Sequence, residues 1–462
     1  MNNKEIIRRI EAVGMRVTSD ILKDLINEHS ADRSRMIKDY NNYQGDEIPI
    51  SERRIDNPLK KNNRIANDYR GEIIDQAVGY LFGKPITYSV DKESYSSDTD
   101  FETAHTTLEE FLLNNHIEDL DIESGKLQAT CGYAARIMYI DTEGVLRCMN
   151  VNPWEMIFIK DRSLDKMQYA MRYYYVDVVE GDNKYKQTRV EWYDERNVTF
   201  YISRQGGDFI LDPSEPRNPI PHQFDRVPCI EILNNAEKIS DTKKVKTLID
   251  AYDKTISDAQ NEIEEFRLAY LMLKEINITP EMLQEIRASG AFNNVPAEGS
   301  IEYITKQIND VFLENHKNTL KDNIYRFSKT IDINSDTFTG QGASGEARKW
   351  VLTALEWRCG IKEVKFNAAL NKMFQVATDY WQKRSIPLSW RNISFNFDRN
   401  IPQELMLEAD IQMKLKGLVS ERTRLSMLSA VRDVDSEIKA MEDEREGMIS
   451  LDNIPEETET EE

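Results

Sequence analysis

Cysteine is scarce in this chain: four residues in 462, Cys131, Cys148, Cys229 and Cys359, none of them in a CxxC pair. Such spacings suit no zinc site and leave burial as free thiols as the expectation. The five histidines (His29, His105, His116, His222 and His316) are scattered, with no HExxH and no close pair, so no metal centre is expected. No apolar run approaches the roughly 18 to 20 residues of a membrane span. The opening MNNKEIIRRIEAVGMRV is charged and amphipathic, without a secretory apolar core. The expected location is the cytoplasm in which the chain is made. A basic surplus is also missing. The formal charge is −21, which excludes tight electrostatic clamping of a nucleic-acid backbone as the default, without excluding a nucleic acid as partner.

Catalytic signatures are missing too. There is no GxSxG elbow and no DxDxDG loop, and no spacing of acidic residues nominates a carboxylate pair. The pair Gly83-Lys84 invites a phosphate-loop reading. A Walker loop needs a glycine where Val78 stands and a hydroxyl where Pro85 stands, and it opens a helix where this pair ends one. Gly340, Gly342 and Gly345 spell GxGxxG, but a charged helix and a polar run precede them where the dinucleotide fingerprint requires a buried strand. A flexible loop feeding a helix capped near Ser344 is the competing account. No cofactor is expected, and the chain reads as a non-enzyme.

What is present is architectural. With 40% hydrophobic and 31% charged residues, the chain can build two to four soluble domains with real cores. Residues 1 to about 43 read as helical, and Gly45 and Pro49 break the pattern. Ile65, Tyr69, Ile73, Ala77, Tyr80 and Leu81 step by threes and fours along one helix face. Gly83 is expected to close that helix in the left-handed conformation, with Pro85 barring its resumption. ITYSV then reads as a strand. SYSSDTDFETAHTT reads as a loop and residues 106–129 as a helix. From Tyr133 to about Leu233, segments such as AARIMYI and VTFYIS alternate with turn signals, which predicts an antiparallel meander. A Pro-rich stretch closes it.

The next segment is the most regular. Ile249, Tyr252, Ile256, Ala259, Ile263, Phe266, Tyr270 and Leu273 form a strict heptad, which predicts a helix over about 241–274. Its other faces carry Asp250, Asp253, Asp258, Glu262, Glu264 and Glu265. Phe312, His316, Leu320, Ile324, Phe327 and Ile331 mark a second helix. A short helix and one or two strands are expected between the two, so the pair reads as a helical hairpin with a small module at its tip; an ordinary intramolecular helix pair fits the pattern equally well. A long helix then reaches about Gln382 through Trp350, Ala354, Trp357 and Ile361, followed by a strand in ISFNFDRNIP. Two further helices are expected over 403–415 and 420–446. The tail IPEETETEE is acidic and expected to lack fixed structure.

At this point DYNNYQGDEIPISERR, NNRIANDYRGEIIDQAVGYLFGKPITYS, SGEARKWV, ISFNFDRNIPQELMLEADIQMKLKGLVSERTRLSML and VRDVDSEIKAMEDE, in this order, resemble segments of the portal proteins of tailed bacteriophages, siphophages of Gram-positive hosts in particular. The resemblance covers roughly residues 35–445. It implies an α+β, predominantly helical portal fold and a ring-forming subunit. The implied parts are a wing over 1–238, stem helices over 239–273 and 309–332, and a clip over 274–308. A tunnel loop over 333–345, a wing-crossing helix over 346–385, a crown over 386–450 and an acidic tail over 451–462 complete them. It further implies a homo-oligomer, normally a twelve-membered ring, at one capsid vertex, through which double-stranded viral DNA is packaged and ejected without sequence preference. The implied partners are the terminase large subunit, the head-tail adaptor, and the major capsid and scaffolding proteins, with no membrane. The implied locations are the host cytoplasm during assembly and then the virion. Asn334, Ser335, Asp336, Thr337, Phe338, Thr339, Gly340, Gln341 and Gly342 would face the channel. Ile249, Tyr252, Ile256, Ala259, Ile263 and Phe266 would form a seam between subunits. Another oligomeric head-tail scaffold or adaptor remains an alternative, as does a nucleotide-binding enzyme using the glycines at 340–345.

Overall fold

A computed structural model describes residues 3–442 apart from 13–16, 57–59, 162–165, 181–182, 205, 267–269, 275–278, 290–299, 305–309, 336–344, 401–410, 412, 429–430, 432–433 and 435–436. Two helices, α1 (Asn3–Ala12) and α2 (Ser19–Tyr43), open the chain. Next comes α3 (Tyr69–Phe82), whose N-terminus is fixed by Asp68: its carboxylate accepts from the Gly71 amide at 2.9 Å. This corrects one sequence expectation. Ile65 shares the spacing of α3 but lies before the cap, in an extended segment. Gly83 is corrected as well. Its φ is −67°, so it is right-handed; a Cβ there would meet the Gly79 carbonyl oxygen at 2.2 Å and Asn400 Nδ2 at 2.3 Å. Close approach of the Gly79 carbonyl and of Asn400, not a left-handed turn, favours the glycine.

β1 (Thr87–Val90) pairs antiparallel with the distant β13 (Ile393–Asn396). Helix α4 (Asp98–Asn114) begins earlier than the periodicity predicts, because Asp98 and Asp100 in the first turn suit the helix dipole. A left-handed His116 separates it from α5 (Ile117–Cys131). The meander is antiparallel as expected but divides into two sheets. β10 (Cys229–Leu233), β2 (Tyr133–Ile140) and β3 (Leu146–Val151) form one. β4 (Met156–Asp161), β5 (Lys166–Glu180), β6 (Asn183–Tyr193), β7 (Asn197–Arg204) and β8 (Ile210–Leu211) form the other, with β9 (Ile220–Pro221) against β7.

The hairpin consists of α6 (Lys246–Phe266) and α8 (Asp310–Ser328). Between them, β11 (Tyr270–Lys274) pairs with β12 (Ser300–Ile304), and α7 (Pro280–Ser289) intervenes. The heptad therefore overstates the helix. Tyr270 and Leu273 keep the seven-residue spacing but lie on a strand, where β-strand pairing replaces the helical bonds. After the hairpin, α9 (Gly345–Lys383) runs 39 residues, about 58 Å at 1.5 Å per residue. Of the two C-terminal helices expected, residues 403–410 lie outside the described residues. The second is interrupted: α10 (Glu421–Ser426) ends at Met427.

The main core is built on the C-terminal half of α9. Phe366, Leu370, Met373, Phe374 and Trp381 pack against α3, α4 and the β2 sheet. A buried polar knot lies within it. Arg136 on β2 donates to Asp121 Oδ1 at 2.9 Å, Ser124 Oγ at 3.0 Å and Asn150 Oδ1 at 3.0 Å. Tyr88 donates to the other Asp121 oxygen.

A second core joins α1 and α2 to the larger sheet through Ile10, Leu22, Tyr173 and Trp192. Beside it His29 Nδ1 lies 2.9 Å from the Tyr173 hydroxyl. Burial holds the imidazole near pKa 4, with Arg33 and Lys238 opposing protonation and Asp32 favouring it. The unfolded chain takes up this proton near 6.5, so stability is complete above that value and is lost as pH falls toward 4. The expected loss from this group is about 2 kcal/mol between pH 7.5 and 5. Urea titrations of the wild type and of His29→Gln should differ by that slope; parallel pH profiles would remove His29 from the account.

Candidate assembly interface

Helix α6 turns two different faces to the rest of the chain. Its first turns carry Ile249, fully buried with Tyr69, Ile73 and Ile324, and Tyr252, partly buried beside them. Here α6, α8 and α3 meet, and edge-on aromatic contacts of Tyr69 with Tyr252 and Tyr325 tie the three helices together.

The second face is polar and buried: Asp253, Ser257 and Asn261, at successive steps of four. The extended segment 62–68 lies along it as a strap. Asn67 N donates to Asp253 Oδ1, Ile65 N to Ser257 Oγ and Asn63 N to Asn261 Oδ1, at 2.9, 2.9 and 2.7 Å. The side-chain amides of Asn67 and Asn63 add to the first and last rungs. Two residues of extended chain advance about 6.6 Å and four of helix about 6.0 Å, so alternate strap amides meet successive turns. Burial raises the Asp253 carboxyl, and its bonds from Asn67 work against that. Ion pairs flank the ladder: Arg70 to Asp250 near one end, Arg53 to Asp258 near the other.

The root of the hairpin is held by α9. Lys362 reaches Asp241 at 2.6 Å, and both side chains are nearly fully enclosed. Burial works to raise the Asp241 carboxyl, but Lys362 and Arg358 outweigh it and hold it below its ordinary value. Arg358 also donates to the carbonyls of Ser328 and Ile73 at 2.6 and 3.0 Å. Gln76 clamps Ile331 in both directions: it donates to its carbonyl at 2.8 Å and accepts from its amide at 2.7 Å. The chain leaving α8 is thus pinned up to residue 335, where Ser335 N donates to the Asp332 carbonyl.

This constellation contains no catalytic geometry among the described residues, and no group of three or more His, Cys, Asp or Glu there could hold a metal. The four cysteines are free and buried. No helix among the described residues is long and apolar enough to cross a membrane. The arrangement is instead a two-helix arm gripped at its root.

Comparison with known proteins gives the family of the chain. The family model for "Phage portal protein, SPP1 Gp6-like" matches residues 22–450. The chain belongs to this portal family. Curated relatives include the portal protein of Bacillus phage SPP1, 25% identical over 410 residues, covering 83% of this chain and 76% of the relative. The portal protein of Clostridium phage phiCD119 is 24% identical over 426 residues, covering 86% of this chain and 88% of the relative. The sequence resemblance to portals of phages of Gram-positive hosts therefore holds.

Of the portal residues expected in a seam, Ile249 is buried inside the chain, Tyr252, Ile256 and Ala259 are half-buried, and Ile263 is 53% exposed. The Phe266 side chain lies outside the described residues, as do Asp336, Thr337, Phe338, Thr339, Gly340, Gln341 and Gly342. Asn334 is exposed and Ser335 half-buried at the rim of that segment. The residues before the glycines, 329–335, form turn and coil, not the strand a dinucleotide site requires. Sequence reading missed the strap ladder and the Lys362–Asp241 pair. Polar residues at steps of four beside an apolar stripe were the available signal for the ladder. The pair, 121 residues apart in the chain, left no signal.

Proposed function

We propose that this chain is the subunit of a portal ring, a non-enzymatic conduit at one capsid vertex through which double-stranded viral DNA enters and leaves. The match to the portal family across most of the chain carries the reading. The two-helix arm with a small module at its tip is compatible with it. In this reading, residues 1–238 are the wing, and α6 and α8 lie in the stem (239–273 and 309–332). Residues 274–308 are the clip that meets the terminase large subunit and later the head-tail adaptor. Residues 333–345 are the tunnel loop, 346–385 the wing-crossing helix and 386–450 the crown. Capsid and scaffolding proteins surround the outer parts. The subunit assembles in the host cytoplasm and ends in the virion. A ring of twelve would carry a formal charge of roughly −250, so DNA is guided by acidic walls with low friction instead of being gripped through counterion release.

The mass of the purified protein tests this. A ring of about a dozen subunits, with an axial hole in low-resolution images wide enough for duplex DNA, is expected. A strictly monomeric species at high concentration and varied salt would count against the reading; a closed ring without a hole would favour a scaffold or adaptor. In this reading Gly342→Pro should leave rings intact and reduce the yield of filled capsids, because proline restricts the backbone of the proposed tunnel segment. Full packaging by that variant would remove the tunnel role.

A further inference from the structure

The N-terminal half of α9 carries a second heptad that the described residues of the chain leave largely uncovered. Trp350, Ala354, Trp357, Ile361, Val364 and Ala368 step by four, three, four, three and four, over about 27 Å of helix. In the core half of α9 such residues are enclosed. Here Trp350 is 77%, Trp357 64%, Ile361 54% and Val364 67% exposed. Two tryptophans on one unpartnered stripe are unusual for surface that meets only water. Gly360 stands in the same stretch. A Cβ added there would meet nothing within 4 Å, so nothing in the described fold requires a glycine in mid-helix, where it weakens the helix. A second helix backbone approaching closely would require it.

We infer that this face is the docking surface for the α6–α8 pair of a second copy of the chain. The inference rests on the ring reading and adds which surfaces meet. A 3.5-residue repeat is matched by another helix and not by a flat sheet. Charge selects which helix. α9 carries seven Lys and Arg against four Asp and Glu, in a chain whose net charge is −21; Arg358 and Lys362 are engaged inside the subunit, and Lys365 and Lys372 lie along the same helix outside those bonds. α6 is acidic, with six Asp and Glu against two lysines; Asp250, Asp253 and Asp258 are engaged with the strap and its flanking arginines, and the remaining acidic residues, Glu262, Glu264 and Glu265, lie toward the C-terminal end. Tyr252, Ile256, Ala259 and Ile263 on α6 are only partly covered within their own subunit, so α6 also offers an incompletely buried apolar row. Packing α9 on α9 across a two-fold axis would set like charges together and stop at a dimer. Packing α9 on the α6–α8 pair joins two different surfaces, so each copy still offers one of each, and such contacts continue until a ring closes.

Three measurements on the full chain test this. Oxidative footprinting should show Trp350 and Trp357 protected in the wild-type ring and reactive in the dissociated subunit. Trp357→Glu/Ile361→Glu should raise the concentration at half-assembly at least about tenfold while leaving subunit unfolding unchanged, since both side chains face solvent in the single chain. Gly360→Ala should also weaken assembly while leaving the subunit as stable or more so; it decides the matter together with the footprint if the double variant misfolds. A zero-length carbodiimide cross-linker should join Lys365 or Lys372 to acidic residues of α6 between subunits. If the wild type forms no ring, the portal reading fails. If it forms a ring in which both tryptophans stay reactive and the variants assemble normally, the ring stands and this interface falls. Inter-subunit links from Lys365 and Lys372 to elements other than α6 and α8 would overturn the choice of partner surface. Protection that appears only after other virion components join would overturn the second copy as occupant.

Discussion

Replacing Lys362 with methionine is expected to cost about 3–5 kcal/mol of folding stability. The substitution nearly preserves volume and leaves the Asp241 carboxylate enclosed without its cation. Asp241 then keeps only Asn234, whose side-chain amide donates at 3.0 Å, and the neighbouring Arg358 charge. The paired removal Lys362→Met/Asp241→Leu should recover most of the loss, because two apolar groups of similar shape replace an ion pair with little penalty. The effect has a pH signature. In the wild type the Asp241 carboxyl is held below its ordinary value, so its contribution is complete above that value and is lost as pH falls through the depressed one. In Lys362→Met the same carboxyl is pushed up, so protonation relieves the variant. The stability gap in urea should narrow between pH 7 and pH 4.5. A gap that stays constant would show that packing, and not the buried charge, sets the cost. Since Asp241 immediately precedes the α6 root, the single variant should also loosen the hairpin before the main core, visible as early hydrogen exchange in α6.

Arg136→Met is expected to cost a similar amount, about 3–5 kcal/mol, for a different reason. Arg136 satisfies three oxygen acceptors at once and its remaining guanidinium nitrogen lies 3.4 Å from Met373 Sδ on α9. Removing it leaves Asp121, Ser124 and Asn150 short of a donor inside the core. Arg136→Lys isolates geometry from charge. A lysine restores the cation near Asp121 but reaches only part of the fork, so about half the loss should remain. If Arg136→Lys matches the wild type in urea, the planar fork is irrelevant and only charge matters. Neither variant changes an exposed surface, so rings that form at permissive temperature should have normal mass.

The elements that sequence reading placed well are those whose signal is local. β1, the meander strands and α9 follow from alternation, turn residues and periodicity. The failures share one cause: periodicity does not say what lies opposite. Ile65 keeps helical spacing with Tyr69 yet belongs to the strap, because the Asp68 cap decides where α3 starts. Tyr270 and Leu273 keep the heptad yet pair with β12. Gly83 was assigned to a left-handed turn because helices commonly stop that way, while the structure shows residue 400 lying against it. For the interface the lesson is sharper. The α6 heptad pointed to a seam, but its first member is enclosed within the subunit, whereas the α9 heptad, with the larger side chains, is the more exposed. Only a solved neighbourhood separates an apolar stripe that is filled from one that is still open.

The strap has a mechanical corollary. Positions four apart on a helix rise about 6 Å and turn about 40° around its axis, so Asp253, Ser257 and Asn261 trace a shallow thread, not a straight rail. All three accept from the same kind of donor, a main-chain amide on every second strap residue. A shift by one rung would therefore keep two of the three main-chain bonds, provided that α6 rotates as it advances. The thread geometry of this contact is that of a bolt in a nut: a lengthwise displacement without twist would leave every rung unmatched, and the packing of Ile249 and Tyr252 against α3 and α8 holds the register seen.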